Sequence, residues 1–436
     1  NRRLLALTAL AIAVRLLAFA LEPPVAPVAD ERTWSDMARI VADKAHFSPF
    51  GHKKVFHPPL YPYFLAVPYA AFGTFTASKL IQIAVASLLV PAVGRLGARA
   101  FGPRVGWAAA LATAFYPELV WFSFHFWVEN LFMVLLFWGF ERLLAAREEL
   151  SARAAAAAGL LWGLAVLTRE TALYFVPVAA LFLAWPRGAG TLQRAALFAG
   201  LALLTVAPWT WRNWVQFHAF VPVSTAGGQN LFQGNTDIPR DVTYVMVDEA
   251  GDAIEQYRYA RHMGLEAIKA RQPWWIFEKL RDQMPLFWEA NSMAVIHVQR
   301  KAYGEVAPAA AIAVALVMLL PYLAALAAFV VGLAAMPWTP ARLLLLAFLA
   351  YHNLLHVVTH GFNRYRLPIM PIVFLCGAWA WAAWREGRLA LTPARRAVAV
   401  ALALVFAVML APSLRAQWQH EAFALSRPLP PPSPLP

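Results

Sequence analysis

The chain has 436 residues, 61% of them hydrophobic and only 14% charged, and its mean hydropathy is +0.54. That is too apolar for a soluble protein of this length and fits a polytopic membrane protein. The net charge of +13 would suggest nucleic acid in a soluble chain, but here the basic residues sit between apolar runs, where they set orientation and meet anionic headgroups, so no nucleic-acid partner is expected. The single cysteine, Cys376, lies in an apolar run and excludes both an intramolecular disulfide and a cysteine metal cluster.

Asn1-Arg2-Arg3 ahead of the apolar run 4–21 reads as a positively flanked first span. The run continues without a small-residue cleavage site, so it is expected to be an anchor, not a removed signal peptide. The polar stretch PVADERTW at 27–34 places adjacent carboxylates, Asp30 and Glu31, directly after this span. Ionisable groups at the end of a membrane span are functional candidates; an N-cap for the run 31–44 is the alternative reading of Asp30. Within that run Trp34, Met37, Ala38 and Val41 recur at helical spacing, the pattern of an amphipathic helix lying at the membrane surface.

A membrane-crossing helix takes about 20 apolar residues. Eleven segments follow that pattern, at 4–21, 78–98, 105–122, 126–145, 153–168, 170–186, 191–211, 307–332, 340–358, 367–384 and 394–412. A twelfth, PPLYPYFLAVPYAAF at 58–72, is short and broken by Pro58, Pro59, Pro62 and Pro68. Parity decides its place. If the N-terminus is cytoplasmic and 58–72 does not cross, the inner loops hold Arg95, Arg99, Arg104, Arg142, Arg147, Arg153, Arg187, Arg194, Arg342, Arg385, Arg388, Arg395 and Arg396, as the positive-inside rule asks. Counting it as a crossing puts those arginines outside. The segment is therefore expected to be an interfacial or re-entrant helix on the outer side.

The expected organisation is a transmembrane module over 1–211 with a first outer loop at 22–77, an outer loop at 212–306, C-terminal transmembrane helices at 307–412 and a Pro-rich tail at 413–436. The second outer loop carries GGQNLFQGN at 227–235 and helix-like runs at 253–270 and 273–288; the latter, rich in Trp274, Trp275, Phe277, Leu280 and Phe287, suits an interface-hugging helix. The end of the tail, RPLPPPSPLP, reads as extended polyproline.

Under this parity Asp30, Glu31, His57, Glu118, Glu129, Arg169, Glu170, Arg212, Arg364 and Arg366 all fall near the outer boundary. A carboxylate can accept the proton of an attacking hydroxyl, and guanidinium groups can hold a phosphate or diphosphate through bidentate hydrogen bonds. That combination suits group transfer from a phosphate-bearing lipid. Structural readings stand beside it: Arg169 with Glu170 as a hairpin anchor, Arg364 and Arg366 as headgroup snorkels.

Six strings carry a resemblance: DERTWSDMA at 30–38, HPPLYPYFLA at 57–66, YPELVWFSFHFWVENLF at 116–132, GLAVLTRETAL at 163–173, APWTWRNWVQFHAFVPVSTAGGQNLFQGN at 207–235 and RYRLPIMP at 364–371. With them the chain resembles the membrane glycosyltransferases of the GT-C superfamily, especially the bacterial relatives of dolichyl-phosphate-mannose protein mannosyltransferases and of the lipid A aminoarabinose transferase. The resemblance implies an all-α GT-C fold with amphipathic surface helices in the first outer loop and a first set of seven spans; the segments counted above make about 11 transmembrane helices, seven of them before residue 212. It implies Asp30 as catalytic base, Glu31 beside it as support or alternate, and Glu129 orienting the acceptor. Related enzymes carry Lys or Arg immediately before the PPL element, where this chain has His57. A histidine supplies charge only when protonated, so Lys53, Lys54, Arg169, Arg212, Arg364 and Arg366 join it as candidates for the donor phosphate.

The expected activity is an inverting transfer of a sugar from a polyprenyl-phosphate donor to a lipid, glycan or protein acceptor at the outer face of a bacterial cytoplasmic membrane. No Walker-type loop is present, no cofactor is called for, and no metal ligands are singled out, a divalent metal being left open. The rival reading is a secondary transporter or flippase whose Asp30, Glu129 and Arg169 line a path; it would place its polar residues near the bilayer midplane. A non-catalytic lipid-binding subunit is a third.

Overall fold

A computed structural model describes residues 2–23, 25, 27, 30–44, 55–186 and 188–423. Lys53, Lys54 and the polyproline end of the tail lie outside them. Helix α1 (Arg2–Leu21) leads to α2 (Asp30–Lys44) and α3 (Leu60–Phe72), followed by α4 (Phe75–Ser87), α5 (Leu89–Phe101), α6 (Pro103–Phe115), α7 (Pro117–Phe122), α8 (Glu129–Glu148) and α9 (Ala152–Thr168). After a 3-10 turn (Glu170–Phe175) come α10 (Val176–Ala184) and the long α11 (Ala189–Phe217). Five shorter helices follow: α12 (Ala226–Asn235), α13 (Arg240–Asp248), α14 (Ala253–Ala270), α15 (Trp275–Trp288) and α16 (Met293–Gln299). Helices α17 (Pro308–Ala335) and α18 (Pro340–Val358), a 3-10 turn (Asn363–Ile369), α19 (Met370–Arg385) and α20 (Pro393–Gln419) complete the fold. There is no strand among the described residues.

All eleven expected segments hold helix. Seven helical stretches among the described residues are long and apolar enough to cross a bilayer, and 60–72, 152–168 and 170–184 are shorter apolar helices. Helix α3 has 13 residues. At 1.5 Å per residue it reaches only about 20 Å, short of the roughly 30 Å hydrocarbon core. Its end is set by Gly73, whose φ of 67° favours a residue without Cβ. Gly102, at φ 105°, and Pro103 at the first helical position make the abrupt corner between α5 and α6.

Contacts between helix ends separate two faces. Arg99 pairs with Glu141, Glu148 and Glu149, joining the ends of α5 and α8. Arg104 pairs with Glu386, Arg147 reaches the Phe182 carbonyl, and Arg342 reaches the Ala100 carbonyl. These contacts gather the ends of α5, α8, α10 and α19 with the starts of α6 and α18 on one face. The starts of α2, α8 and the 363–369 turn meet the end of α9 at the opposite face.

Between the faces the helices pack closely. Gly159 and Gly163 on α9 let α11 approach until a Cβ would sit 2.5 Å from the Phe198 carbonyl oxygen and 2.7 Å from that of Ala202, the small-xxx-small mode of membrane helix pairs. Trp34, Met37, Ala38 and Val41 of α2 form a buried cluster with Tyr61, Leu65 and Ala66 of α3. The amphipathic stripe read from the sequence thus docks on a neighbouring helix.

Candidate active site

The first turn of α2 directs its two carboxylates differently, because adjacent helical residues point about 100° apart. Asp30 Oδ2 accepts a hydrogen bond from Arg364 at 2.6 Å, and its side chain is 41% exposed. Glu31 is buried. Burial alone would raise the Asp30 carboxyl, but the charge and hydrogen bond of Arg364, with His57 and Arg240, hold it below the usual carboxylate value. It is ionised at neutral pH.

A second pair lies alongside. Arg169, in the extended link after α9, donates to Glu129 Oε1 at 2.7 Å. Glu129 opens α8 and is buried, and its Oε2 has no hydrogen-bond partner. The two guanidiniums share one aromatic platform: Arg169 lies 5.2 Å and Arg364 5.1 Å from the centre of the Tyr365 ring. Tyr365 stacks in turn on His356 at 4.4 Å, and its carbonyl lies 2.9 Å from His352 Nε2. Trp127 closes over Arg364 at 4.7 Å.

Sequence reasoning missed several neighbours. Arg240, at the start of α13, brings its charge near Asp30 and Tyr365. His360 sits near Arg240, Lys279 and Arg364, and burial lowers it to about 4. The spacing His352, His356, His360, two on α18 and one just past its end, was a readable signal; nothing local marked Arg240.

The remaining candidates divide. His57 packs on Trp34 at 4.7 Å. Burial brings it down to about 4, with Asp30 pulling up and Arg364 down, so at neutral pH it carries no charge for a phosphate. Arg366 is buried against Glu118 at 3.2 Å, donates to the Glu289 and Asn291 carbonyls, and lies over Tyr322 at 4.3 Å. Arg212 lies over Trp209 and Phe217 at 4.9 and 5.5 Å. Glu170 accepts a hydrogen bond from Ser224, while its neighbour Arg169 turns to Glu129. Glu31 meets His125 and His297 in a separate buried cluster.

The GGQNLFQGN motif braces the chain segment that leads into the site. A Cβ at Gly234 would overlap the Thr359 carbonyl oxygen. Asn235 donates to the Val358 carbonyl at 2.9 Å and accepts from Trp275 at 2.8 Å, and Lys279 donates to the Gly234 carbonyl. Helix α12 thereby fixes the end of α18, from which His360 and Arg364 follow. Burial lowers the Lys279 ammonium to about 8, with Arg271 adding to the effect.

Residues 56–211 match the family model described as dolichyl-phosphate-mannose-protein mannosyltransferase. The chain is similar in structure to the oligosaccharyltransferase of Archaeoglobus fulgidus in complex with zinc and sulfate: 15% identity, 98% of this chain and 53% of that one covered, TM-score 0.53. The archaeal oligosaccharyltransferase AglB from Archaeoglobus fulgidus, with an inhibitory peptide and a dolichol-phosphate, aligns at 14% identity over 98% of this chain and 56% of that one, TM-score 0.50. Apo ArnT from Cupriavidus metallidurans aligns at 14% identity over 86% and 76%, TM-score 0.43. The chain thus spans about half the length of the oligosaccharyltransferases it matches. No curated protein sequence matches it. The mannosyltransferase side of the resemblance read from the sequence and the all-α membrane fold are both borne out.

Proposed function

With the fold of the GT-C membrane glycosyltransferases as premise, we propose that this chain transfers a sugar from a polyprenyl-phosphate donor to a lipid, glycan or protein acceptor at the outer face of a bacterial cytoplasmic membrane, with inversion. The observation that carries the reading is the Asp30–Arg364 contact beside Arg169–Glu129 on the Tyr365 platform. Arginines 169, 240 and 364 outnumber carboxylates 30 and 129 there, leaving net positive charge for a lipid phosphate.

In the proposed reaction Asp30 takes the proton of the acceptor hydroxyl, and the acceptor oxygen attacks the anomeric carbon. The bond from that carbon to the phosphate oxygen breaks, and the lipid phosphate leaves with the electron pair. Arg364 and Arg169 stabilise the developing charge. Arg364 couples the two halves: each hydrogen bond it turns toward phosphate loosens its hold on Asp30 and makes that carboxylate a better base. The unpartnered Glu129 Oε2 is an acceptor-only oxygen suited to hold a hydroxyl or amide of the acceptor.

The test is Asp30→Asn in the purified protein, assayed with a series of polyprenyl-phosphate sugars. The substitution keeps shape and removes the base, so transfer should fall about 10²–10⁴-fold while donor binding persists. Full activity in the variant would move the base elsewhere. Substrate movement across proteoliposomes without glycosidic bond formation would instead favour a transporter.

A further inference from the structure

Glu31, His125 and His297 form a closed cluster beside α2, with Glu31 turned about 100° around the helix from Asp30, and all three are at most 2% exposed. Their ligating atoms lie within 4.8 Å of one another. His125 Nδ1 is 3.0 Å from Glu31 Oε1, and His297 Nε2 is 3.7 Å from Glu31 Oε2, too long for a hydrogen bond. The other nitrogen of each imidazole is committed outward. His297 Nδ1 lies 2.8 Å from the Met293 carbonyl, which can only accept, so the proton sits on Nδ1 and a lone pair on Nε2. That Nε2 is buried and has no hydrogen-bond partner. His125 Nε2 lies 2.8 Å from Glu22 Oε1, which also accepts from the Tyr303 hydroxyl at 2.8 Å. With a proton on Nε2 directed at Glu22, the Nδ1 lone pair faces the Glu31 carboxylate.

We propose that Glu31, His125 and His297 are the three protein ligands of a divalent cation site of zinc type, with Glu22 and the Met293 carbonyl as its outer shell. Ligating histidines donate their second ring nitrogen to a carboxylate or a backbone carbonyl, which fixes the tautomer, and both imidazoles here have that partner. A tetrahedron with bonds of about 2.0 Å puts ligand atoms about 3.3 Å apart; the observed 3.0 and 3.7 Å bracket that value. Two histidines and one carboxylate suit zinc and leave a fourth position open. Charge supports the assignment, since a divalent ion neutralises the Glu22 and Glu31 carboxylates inside an apolar shell. Trp121 belongs to that shell, stacked 3.8 Å from the His125 ring and 4.9 Å from that of His297. The ligands come from α2, the link between α7 and α8, and α16, with Glu22 just past α1. The ion therefore ties four segments together at the root of α2 and holds Asp30 in register. The sequence singled out no metal ligands because His125 and His297 stand far apart in the chain.

The test is made on the full chain, purified in detergent, loaded with zinc and dialysed. Metal analysis should find about one zinc per chain, and chelation should lower the melting temperature in a way that zinc restores. Cobalt in its place should give tetrahedral d–d absorption, a readout on the unaltered protein. His297→Gln and Glu31→Gln should lower bound zinc to background, and His360→Gln should leave it unchanged. If the unaltered chain binds no zinc above the level of His297→Gln, and neither zinc nor chelator moves its melting temperature, the cluster is an imidazolium bridge between two carboxylates and the proposal fails. Equal zinc in all three variants would place the metal elsewhere.

Discussion

Arg364 and Arg366 stand two positions apart yet serve different chemistry. Arg366 is 1% exposed and matched to an equally buried Glu118. Removing one member of such a pair leaves an uncompensated charge and costs about 3–5 kcal/mol. Arg366→Ala should therefore lower the melting temperature sharply, with part of the loss recovered when Glu118→Gln is added. Arg364 meets an Asp30 that reaches solvent, so Arg364→Ala should stay folded and lose donor affinity, by about 2–5 kcal/mol if the phosphate pair is desolvated. Melting curves and donor-lipid binding on the two variants decide it: similar melting losses in both, or a binding loss confined to Arg366→Ala, would reverse the assignment. Lys279 makes a pH prediction. Its folded value of about 8 lies below the ordinary 10.5, so between those limits the unfolded chain holds more protons. Stability contributed at this site should rise with pH across that window, the burial penalty being fully present below about 8. Melting temperatures of the unaltered protein and Lys279→Met should converge or cross as pH climbs through it; parallel profiles would show that Lys279 does not titrate there.

At the scale of elements, Gly234 is where the sequence motif becomes architecture. Helix α12 approaches Thr359 so closely that even Ala at 234 meets backbone, which cannot swing aside as a side chain can. Gly234→Ala should cost about 1–3 kcal/mol, the range for overpacking, and should weaken donor binding as well because the displaced segment leads to Arg364. Melting and binding are read together: a variant as stable as the parent would show that α12 does not rest on α18. Helices themselves were legible. The run at 253–270 is the helix observed, opened by an Asp252–Glu255 capping box, and the stripe on α2 forms the amphipathic helix its spacing implied, with α3 rather than the membrane surface as the partner of its apolar face. The docking of α12 was not legible, since glycines in GGQNLFQGN signal close approach without naming the partner, and Thr359 lies far along the chain.

The whole molecule is polarised, and that polarity was the most readable property of the site. Arginine-rich loops and boundary acids alternate with the spans, so counting spans separated them, and helix-end contacts place the two sets at opposite faces. Pairing was hidden. Which arginine meets Asp30 depends on the rotation of each helix, and hydropathy does not encode that where one helix end carries Arg364 and Arg366 together. Sidedness yields the last prediction. Thr74 follows α3 and Glu249 lies in the segment between α11 and α17; Gly190 and Ala390 lie at the arginine-rich face, and all four are exposed. Cysteines placed singly at these positions, with the buried Cys376 replaced by Ala, should divide by an impermeant thiol reagent on intact cells: 74 and 249 labelled, 190 and 390 protected until the membrane is opened. Because α3 is too short to cross, 74 must fall on the same side as Asp30. Protection at 74 together with labelling at 190 would mean that the whole molecule is inserted the other way round, putting the arginine-rich face outside and the Asp30–Arg364 site on the side where a periplasmic acceptor never arrives.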